Sequence, residues 1–163
     1  MSACLNFVRS VLESSLKNKG HDWSVYGTRN GTHSILSAKP GRVHISFLVD
    51  THNLNRQGTL NGGCIASLID SAGSLAVSSH GLFTTGVSTD INTTFVKPIP
   101  HNKPVDIFAT AASMGRTMAF TRVDFCDPST GKILAYGSHT KYIANSQGKE
   151  GNVKFSEDGE ERV

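Results

Sequence analysis

The sequence has few cysteines and no recognisable pattern of metal ligands. Its 163 residues include only three cysteines, Cys4, Cys64 and Cys126, and no C-x-x-C. This odd count argues against a disulfide framework and a cysteine-rich zinc site, and it favours a reducing compartment. None of the seven histidines falls in an H-E-x-x-H pattern. We therefore expect no bound metal.

Long apolar runs and a strong charge imbalance are also absent. No apolar stretch is long enough to span a bilayer, and the formal net charge of +3 is too small to indicate nucleic-acid binding. The first residues lack the apolar core of a secretory signal. They can be read as a weak mitochondrial signal, although we favour a helix of the domain itself. We expect a cytoplasmic protein, with the mitochondrion as the alternative.

The spacing of the apolar residues predicts a single α+β domain. Apolar residues at helical spacing predict a helix over residues 3–19. A second helix, over residues 62–79, has apolar residues around most of its circumference and should be buried nearly all round. The predicted strands are 33–38, 42–49, 85–97, 104–114, 117–126 and 132–143. Short links between the last four strands indicate an antiparallel meander, in a sheet curled around one helix.

The C-terminal residues differ in composition from the rest. Residues 146–163 are polar, net acidic and without apolar periodicity. Such a segment buries too little apolar surface to offset the entropy lost on ordering. We therefore predict a folded domain over residues 1–145 and a disordered tail over residues 146–163, dispensable for catalysis.

One charged residue stands alone in the long predicted helix. From Gln57 through Thr89, Asp70 is the only Asp, Glu, Lys or Arg. A carboxylate is rarely buried without a partner or a function. Burial would raise its pKa, whereas hydrogen bonds would lower it. Asp70 is therefore a candidate general base. The alternative is a subunit boundary or a structural hydrogen bond.

Two glycines, Gly62 and Gly63, stand where this helix begins. The first backbone N–H groups of a helix have no internal partner, and the helix dipole adds positive potential there. Glycine also allows a ligand carbonyl to approach the backbone closely. Gly62 is therefore a candidate donor to an oxyanion. The alternative is a loop that needs glycine to turn into a helix.

The separation of these two candidates predicts a shared site. Gly62 and Asp70 are eight residues apart, which is about 12 Å along a helix at ~1.5 Å per residue. One water molecule cannot contact Asp70 while attacking a carbonyl held at Gly62 of the same helix. If both residues act in one reaction, Asp70 comes from another copy of the chain, which predicts a site across a dimer.

Several motifs in the same order and spacing resemble the hotdog-fold thioesterases of the phenylacetate-degradation type. The first is Asn-Arg-Gln-Gly-Thr-Leu-Asn-Gly-Gly at residues 55–63, followed by Asp70. Further matches occur at 86–92, 115–120, 130–132 and 137–141. The resemblance covers residues 5–145. It implies the hotdog fold, a curved antiparallel sheet wrapped around one long central helix.

The resemblance also implies an activity, the hydrolysis of acyl-coenzyme A (acyl-CoA) thioesters. The N–H of Gly62 and the side chain of Asn55 would polarise the thioester carbonyl. Asp70 of the facing subunit would activate water, helped by Ser88. The residues implied to bind the substrate and its CoA portion are Asn61, Phe95, Val96, Lys97, Pro98, Gly115, Arg116, Thr117, His139, Lys141 and Tyr142. Their three cations, Lys97, Arg116 and Lys141, would meet the phosphates.

The same resemblance implies how the protein assembles. Members of the family are dimers paired into tetramers, so a homo-oligomer is expected. Coenzyme A enters as part of the substrate, and no separate cofactor is implied. Neither a nucleic-acid partner nor a membrane span is expected.

One residue departs from the family pattern. The family has histidine immediately before the two glycines, where this chain has Asn61. Asparagine cannot take up a proton near neutral pH. Hydrolysis remains the leading hypothesis because the helix aspartate is the base expected in this branch. Two alternatives stay open: a catalytically weak acyl-CoA-binding or regulatory module, and a hotdog dehydratase or hydratase, which would rely on a histidine absent from this position.

Overall fold

The computed structural model describes residues 2–26 and 33–163 as helices packed on a single sheet. The α-helices are α1 (Ala3–Leu16), α2 (His21–Tyr26) and α3 (Gly62–Ser78), and short 3-10 turns lie at Thr51–Asn53 and Ala144–Ser146. The strands are β1 (His33–Lys39), β2 (Arg42–Leu48), β3 (Val87–Phe95), β4 (Pro104–Met114), β5 (Met118–Cys126) and β6 (Ile133–Tyr142). None of the helices in the described residues is long and apolar enough to cross a membrane.

The N-terminal helix is shorter than predicted and is followed by a second helix. The helix expected over residues 3–19 ends at Leu16, and α2 begins five residues later at His21. Ser2 caps α1 by accepting a hydrogen bond from the backbone N–H of Leu5. The six residues of α2 are too few to establish a helical period in the sequence.

The sheet has six strands in the order β1-β2-β4-β5-β6-β3, and every neighbouring pair is antiparallel. The meander predicted for the last four strands is therefore wrong for β3, which pairs with β6 instead of β4. Its link to β4 runs beside the loop before α3, where the N–H of Leu60 donates to the carbonyl of Ile99. This placement leaves β3 at the edge of the sheet with one side unpaired.

The long helix α3 packs against the sheet and forms the centre of the core. Most of the apolar side chains of α3 are buried, whereas the face that carries Ser67, Asp70 and Ser74 is partly open, so the burial is less complete than predicted. A glycine permits one close approach, because a Cβ atom at Gly137 of β6 would collide with Ile69 of α3 and with the carbonyl of Asn92. The side chains of α3 are therefore held at fixed positions over the middle of the sheet.

The C-terminal segment is packed against the domain, contrary to the disordered tail predicted for residues 146–163. Phe155 contacts the main core cluster, and Gly159 is buried. The N–H of Val153 donates to the carbonyl of Gly81, beyond the end of α3. One aromatic residue and several backbone hydrogen bonds order this segment. A sequence window dominated by polar residues gives little sign of either contribution.

Candidate active site

Asp70, Ser88 and His139 form a hydrogen-bonded cluster from three different elements. Asp70 lies on α3, Ser88 on β3 and His139 on β6. Ser88 Oγ donates to Asp70 Oδ1 at 2.7 Å. His139 Nε2 lies 3.0 Å from the same carboxylate oxygen and 2.9 Å from Ser88 Oγ. The hydrogen bonds from described residues thus converge on Oδ1 and leave Oδ2 available to a water molecule.

A glycine one turn along the helix allows this cluster to form. A Cβ atom at Gly73 would lie 2.6 Å from both His139 Nδ1 and Thr121 Oγ1, which is too close for any side chain. Thr121 Oγ1 also donates to the backbone carbonyl of His139, so β5 fixes the strand that carries the imidazole. Gly73 was not identified from the sequence. The sequence feature that could have identified Gly73 is its three-residue spacing from Asp70, which places both residues on one helix face.

The environment of Asp70 favours the ionised carboxylate. Hydrogen bonds from His139, the larger cause, and from Ser88 together lower its pKa to about 2, against the opposing effect of burial. The side chain is 46% exposed, so it is less buried than its place in an apolar helix suggested. Hydrogen bonding therefore dominates over burial, the balance that the sequence left open.

His139 lies beneath Asp70 and is completely buried. The sequence suggested it as a substrate-binding residue, but its imidazole contacts Asp70 and Ser88 instead. An imidazole in this position can orient the carboxylate without touching a substrate in the open site. The structure therefore places His139 in the support of the catalytic candidate.

Lys141 lies inside the cavity beside Asp70. Its Nζ donates to Ser74 Oγ at 2.7 Å, and the residue is only 3% exposed. Burial lowers its pKa, while the carboxylates of Asp70 and Asp22 favour the charged form. The cavity has a volume of about 250 Å³ and also includes Ser88 in its lining. A buried ammonium in this position does not fit the predicted contact with a solvated CoA phosphate.

A second cleft lies at the N-terminus of α3. It has a volume of about 350 Å³ and is lined by Asn55, Thr59, Leu60, Gly62, Ile65, Phe95, Val96, Lys97, Pro98 and Ile99. This one cleft contains five predicted site residues besides Gly62. No hydrogen-bond acceptor for the Gly62 N–H is found among residues 2–26 and 33–163. A Cβ atom at Gly62 would lie 3.2 Å from the Phe95 ring, so glycine keeps this donor accessible.

The two asparagines near this cleft use their side chains to shape it. Asn61 caps α3, since its Oδ1 accepts the N–H of Gly63 at 2.8 Å. Asn55 Oδ1 accepts the N–H groups of Gln57 and Thr59, and its Nδ2 donates to Thr59 Oγ1. These hydrogen bonds give both side chains a local structural role. Asn55 also lines the cleft, and Asn61 immediately precedes Gly62 in the chain.

The remaining predicted CoA-binding residues lie at the opposite end of β3. Arg116, between Gly115 and Thr117, is exposed on the hairpin that joins β4 to β5. The N–H of Ile143 donates to the carbonyl of Thr117, which places the hairpin beside the end of β6. Tyr142 in turn pairs with Val87, the first residue of β3. Within one chain the predicted CoA-binding residues therefore form two separate groups.

Other candidate nucleophiles and metal ligands lack support among the described residues. Cys64 follows the glycines on α3, but burial raises the pKa of its thiol to about 11, so the thiolate nucleophile is scarce at neutral pH. No group of three or more His, Cys, Asp or Glu residues within residues 2–26 and 33–163 is arranged to hold a metal ion.

Comparisons with known proteins place this fold and these motifs in one family. The model of the thioesterase superfamily matches residues 57–134. Human acyl-coenzyme A thioesterase 13 is 32% identical over 89% of this chain and 100% of its own. A Schizosaccharomyces pombe protein whose name marks it as a candidate esterase is 41% identical over 88% of this chain and 87% of its own.

A solved structure agrees with this placement. The crystal structure of zebrafish thioesterase superfamily member 2 has a TM-score of 0.77 and 32% identity, covering 85% of this chain and 97% of that one. The curved six-stranded sheet and its central helix are thus the hotdog fold that the sequence motifs implied. The chain belongs to the thioesterase superfamily and is a thioester hydrolase.

Proposed function

We propose that this protein hydrolyses acyl-CoA thioesters to a free acid and CoA, with water activated by Asp70. The observation that carries the proposal is the carboxylate whose Oδ1 is held by Ser88 and His139 while its Oδ2 is available to water. The relative named acyl-coenzyme A thioesterase 13, which matches over its whole length, supports CoA as the thiol portion of the substrate.

The chemistry follows from the two half-sites. The Gly62 N–H donates to the thioester carbonyl oxygen, and this bond strengthens as the oxygen gains charge. A water molecule on Asp70 attacks the carbonyl carbon and transfers a proton to the carboxylate. Collapse of the tetrahedral intermediate re-forms the carbonyl and expels CoA as its thiolate, which takes up the proton from Asp70 and so restores the carboxylate. The protein supplies position and charge stabilisation, and the scheme uses no separate cofactor.

A second copy of the chain supplies the other half of each site. Strand β3 is at the sheet edge, and apolar Val87, Ile91 and Phe95 are 63%, 40% and 59% exposed. An unpaired edge strand with exposed apolar side chains favours pairing with another strand. Since β3 is the same strand in each copy, antiparallel pairing about a two-fold axis satisfies both edges.

Such pairing brings the required groups together. The centre of β3 is Ile91, and its two ends are about 26 Å apart at ~3.3 Å per residue. Antiparallel pairing about Ile91 puts the Phe95 end of one copy beside the Val87 end of the other. The Gly62 cleft of one chain then meets the Asp70 cluster of its neighbour. It also joins the Lys97 group to the Arg116 group, which provides two cations for the phosphates of one CoA.

The low pKa of Asp70 also defines the role of the second copy. A carboxyl group with a pKa of about 2 is ionised at every physiological pH but is a weak proton acceptor. Covering a half-exposed carboxylate removes water from it and raises its pKa. The second copy therefore completes the site and also makes Asp70 a stronger base.

A binding module without useful turnover is the second candidate. The weak basicity of Asp70 and the presence of Asn61, already engaged in capping α3, favour it. In that case acyl-CoA would bind the paired chains and dissociate intact.

Turnover measurements with mixed variants test the proposal. Wild-type protein should release free CoA from at least one member of an acyl-CoA panel. Asp70→Asn and Gly62→Val should each be nearly inactive, and co-refolded mixtures should recover part of the wild-type rate because one site of a heterodimer has both intact residues. Binding of acyl-CoA without release of CoA would support the binding module. If heterodimers form but the mixture does not regain turnover, the shared site is contradicted.

A further inference from the structure

The last residues of the chain hold the N-terminal helix in place. We call residues 147–163 the C-terminal strap. Phe155 of the strap packs edge-on against Phe7 of α1, with ring centroids 5.6 Å apart. The Arg162 guanidinium lies over the same Phe7 ring, 5.9 Å from its centroid. The strap thus contacts α1 through side chains from two separate positions.

The strap also caps α1 with backbone carbonyls. The N–H of Ala3 donates to the Glu160 carbonyl at 3.1 Å, and the N–H of Cys4 donates to the Gly159 carbonyl at 3.0 Å. These are among the N–H groups that have no partner within a helix. The strap therefore satisfies donors that would otherwise need water, and it fixes the N-terminal end of α1.

The body of the domain anchors the strap independently of α1. The N–H of Val153 donates to the Gly81 carbonyl at 2.9 Å, and Asn152 Oδ1 accepts the N–H of Phe83 at 3.0 Å. Gly81 has a φ of +95°, and a Cβ atom there would collide with the Val153 carbonyl. The strap is therefore a bridge between the end of α3 and the beginning of α1.

The other end of α1 forms a wall of the cavity that contains Asp70. Val11 and Leu12 line this cavity of about 250 Å³. Between the strap contacts and this wall, Arg9 Nη2 donates to the Ile35 carbonyl at 2.7 Å. Cys4 and Val11 are about 11 Å apart at ~1.5 Å per residue. Val8 and Leu12 also bury α1 in the core, so the strap adds the contacts at the N-terminal end of the helix, and its release leaves that end held by fewer contacts.

We propose that the C-terminal strap determines which acyl groups the enzyme accepts, by holding α1 against the cavity beside Asp70. This inference rests on the proposed function, because the acyl group of a substrate attacked at Asp70 must occupy space next to that residue. With the strap docked, Val11 and Leu12 limit the cavity and small acyl groups are favoured. Release of the strap lets this wall move outward and admits larger groups. The strap residues are positioning residues and do not contact the substrate.

Two glycine variants provide a matched test in the full-length chain. Gly159 and Gly148 both have positive φ, +76° and +65°, so alanine strains the backbone similarly at either position. A Cβ atom at Gly159 would lie 2.9 Å from both Cys4 Cβ and Pro40 Cδ, whereas one at Gly148 meets nothing within 4 Å. Gly159→Ala should therefore loosen the strap from α1, and Gly148→Ala is its control. Phe155→Ala loosens the same contact without a backbone change.

The measured quantity is the ratio of kcat/KM for decanoyl-CoA to that for acetyl-CoA. We expect this ratio to rise roughly threefold or more in Gly159→Ala and Phe155→Ala, and to stay at the wild-type value in Gly148→Ala. Partial unfolding lowers the amount of active enzyme for both substrates equally, so it leaves the ratio unchanged. Hydrogen exchange at the α1 amides should be faster in the two loosening variants.

The outcomes separate this inference from the proposed function. Wild-type turnover with an unchanged ratio in both folded loosening variants would overturn the role of the strap alone. Absence of wild-type turnover on every acyl-CoA would overturn the proposed function instead. If the variants do not fold, hydrogen exchange in the wild-type protein tests whether the strap is docked. Unprotected Ala3 and Cys4 amides would overturn the docked strap. Protection of both amides together with the strap amides would support it.

Discussion

The cleft at the start of α3 and the cluster at its middle lie on the same helix but are built in different ways. At the start, the candidate group is the backbone N–H of Gly62, and the nearby side chains of Asn55 and Asn61 shape the loop and cap the helix. At the middle, the candidate group is the side chain of Asp70, held by Ser88 and His139. The first half-site therefore depends on backbone shape, and the second depends on side-chain identity.

This difference predicts how each half-site responds to mutation. A backbone donor survives most substitutions nearby, provided that no new atom covers it. A carboxylate loses its function when a single atom changes, even if the shape is kept. Isosteric substitutions should therefore damage the Asp70 cluster most, whereas added volume should damage the Gly62 cleft.

The largest expected effect comes from Asp70→Asn. It keeps the shape of the side chain and removes the charge that accepts a proton from water, so kcat should fall by ~10²–10⁴-fold. Steady-state release of free CoA measures the loss, with circular dichroism as the folding control. Glu13→Gln removes an exposed charge from α1 and should retain near wild-type activity. A rate for Asp70→Asn within about threefold of wild type would exclude the assigned role.

A smaller effect is expected from Gly62→Ala. The added Cβ atom would lie 3.2 Å from the Phe95 ring and would crowd the position of the carbonyl oxygen. We expect kcat/KM to fall by about 10- to 100-fold, less than complete loss of an oxyanion donor. Removal of the Phe95 ring should relieve this crowding. In a double-mutant cycle, Gly62→Ala should therefore lower kcat/KM less in the Phe95→Ala background than in wild type. Wild-type kcat/KM in Gly62→Ala would show that the carbonyl binds elsewhere.

The smallest expected effect is a shift in pH dependence on replacing His139. Its hydrogen bond is the main cause of the low pKa of Asp70, so His139→Leu should raise that pKa. The ionised carboxylate would then be lost at a higher pH, and the acidic limb of kcat/KM should move upward. His139→Gln keeps a donor and should shift the limb less. If the acidic limb of kcat/KM lies at the same pH in wild type and in both His139 variants, His139 does not act on Asp70.

The sequence predicted most of the secondary structure because the apolar pattern of each element reports its own burial. The helix expected over residues 62–79 is α3, Gly62–Ser78, and the strand expected over residues 104–114 is β4 with the same bounds. The alternation in residues 42–49 likewise gave β2, with Val43, Ile45 and Phe47 buried. Strand order depends on contacts between distant residues, and the partner of β3 was therefore predicted incorrectly.

The contents of the candidate site were predicted better than its geometry. Asp70 was recognised as a lone charge in an apolar stretch, and the Gly62 position from the glycines at a helix start. The sequence did not show that His139 would support Asp70, or that Lys141 would be buried beside Ser74. Both residues alternate along a strand with exposed neighbours, and only the packing of α3 on that face decides what they contact.

Motif spacing and hydrophobic period are local properties of the chain, so they were enough to identify the family and the helix that carries the two candidate groups. The ionisation of Asp70 depends on packing, since its pKa is set by hydrogen bonds from two other elements. Packing also determines whether residues 147–163 dock on the domain. Their docking depends on Phe155 and on backbone donors of α1, more than a hundred residues away in the chain, and composition does not encode such partners.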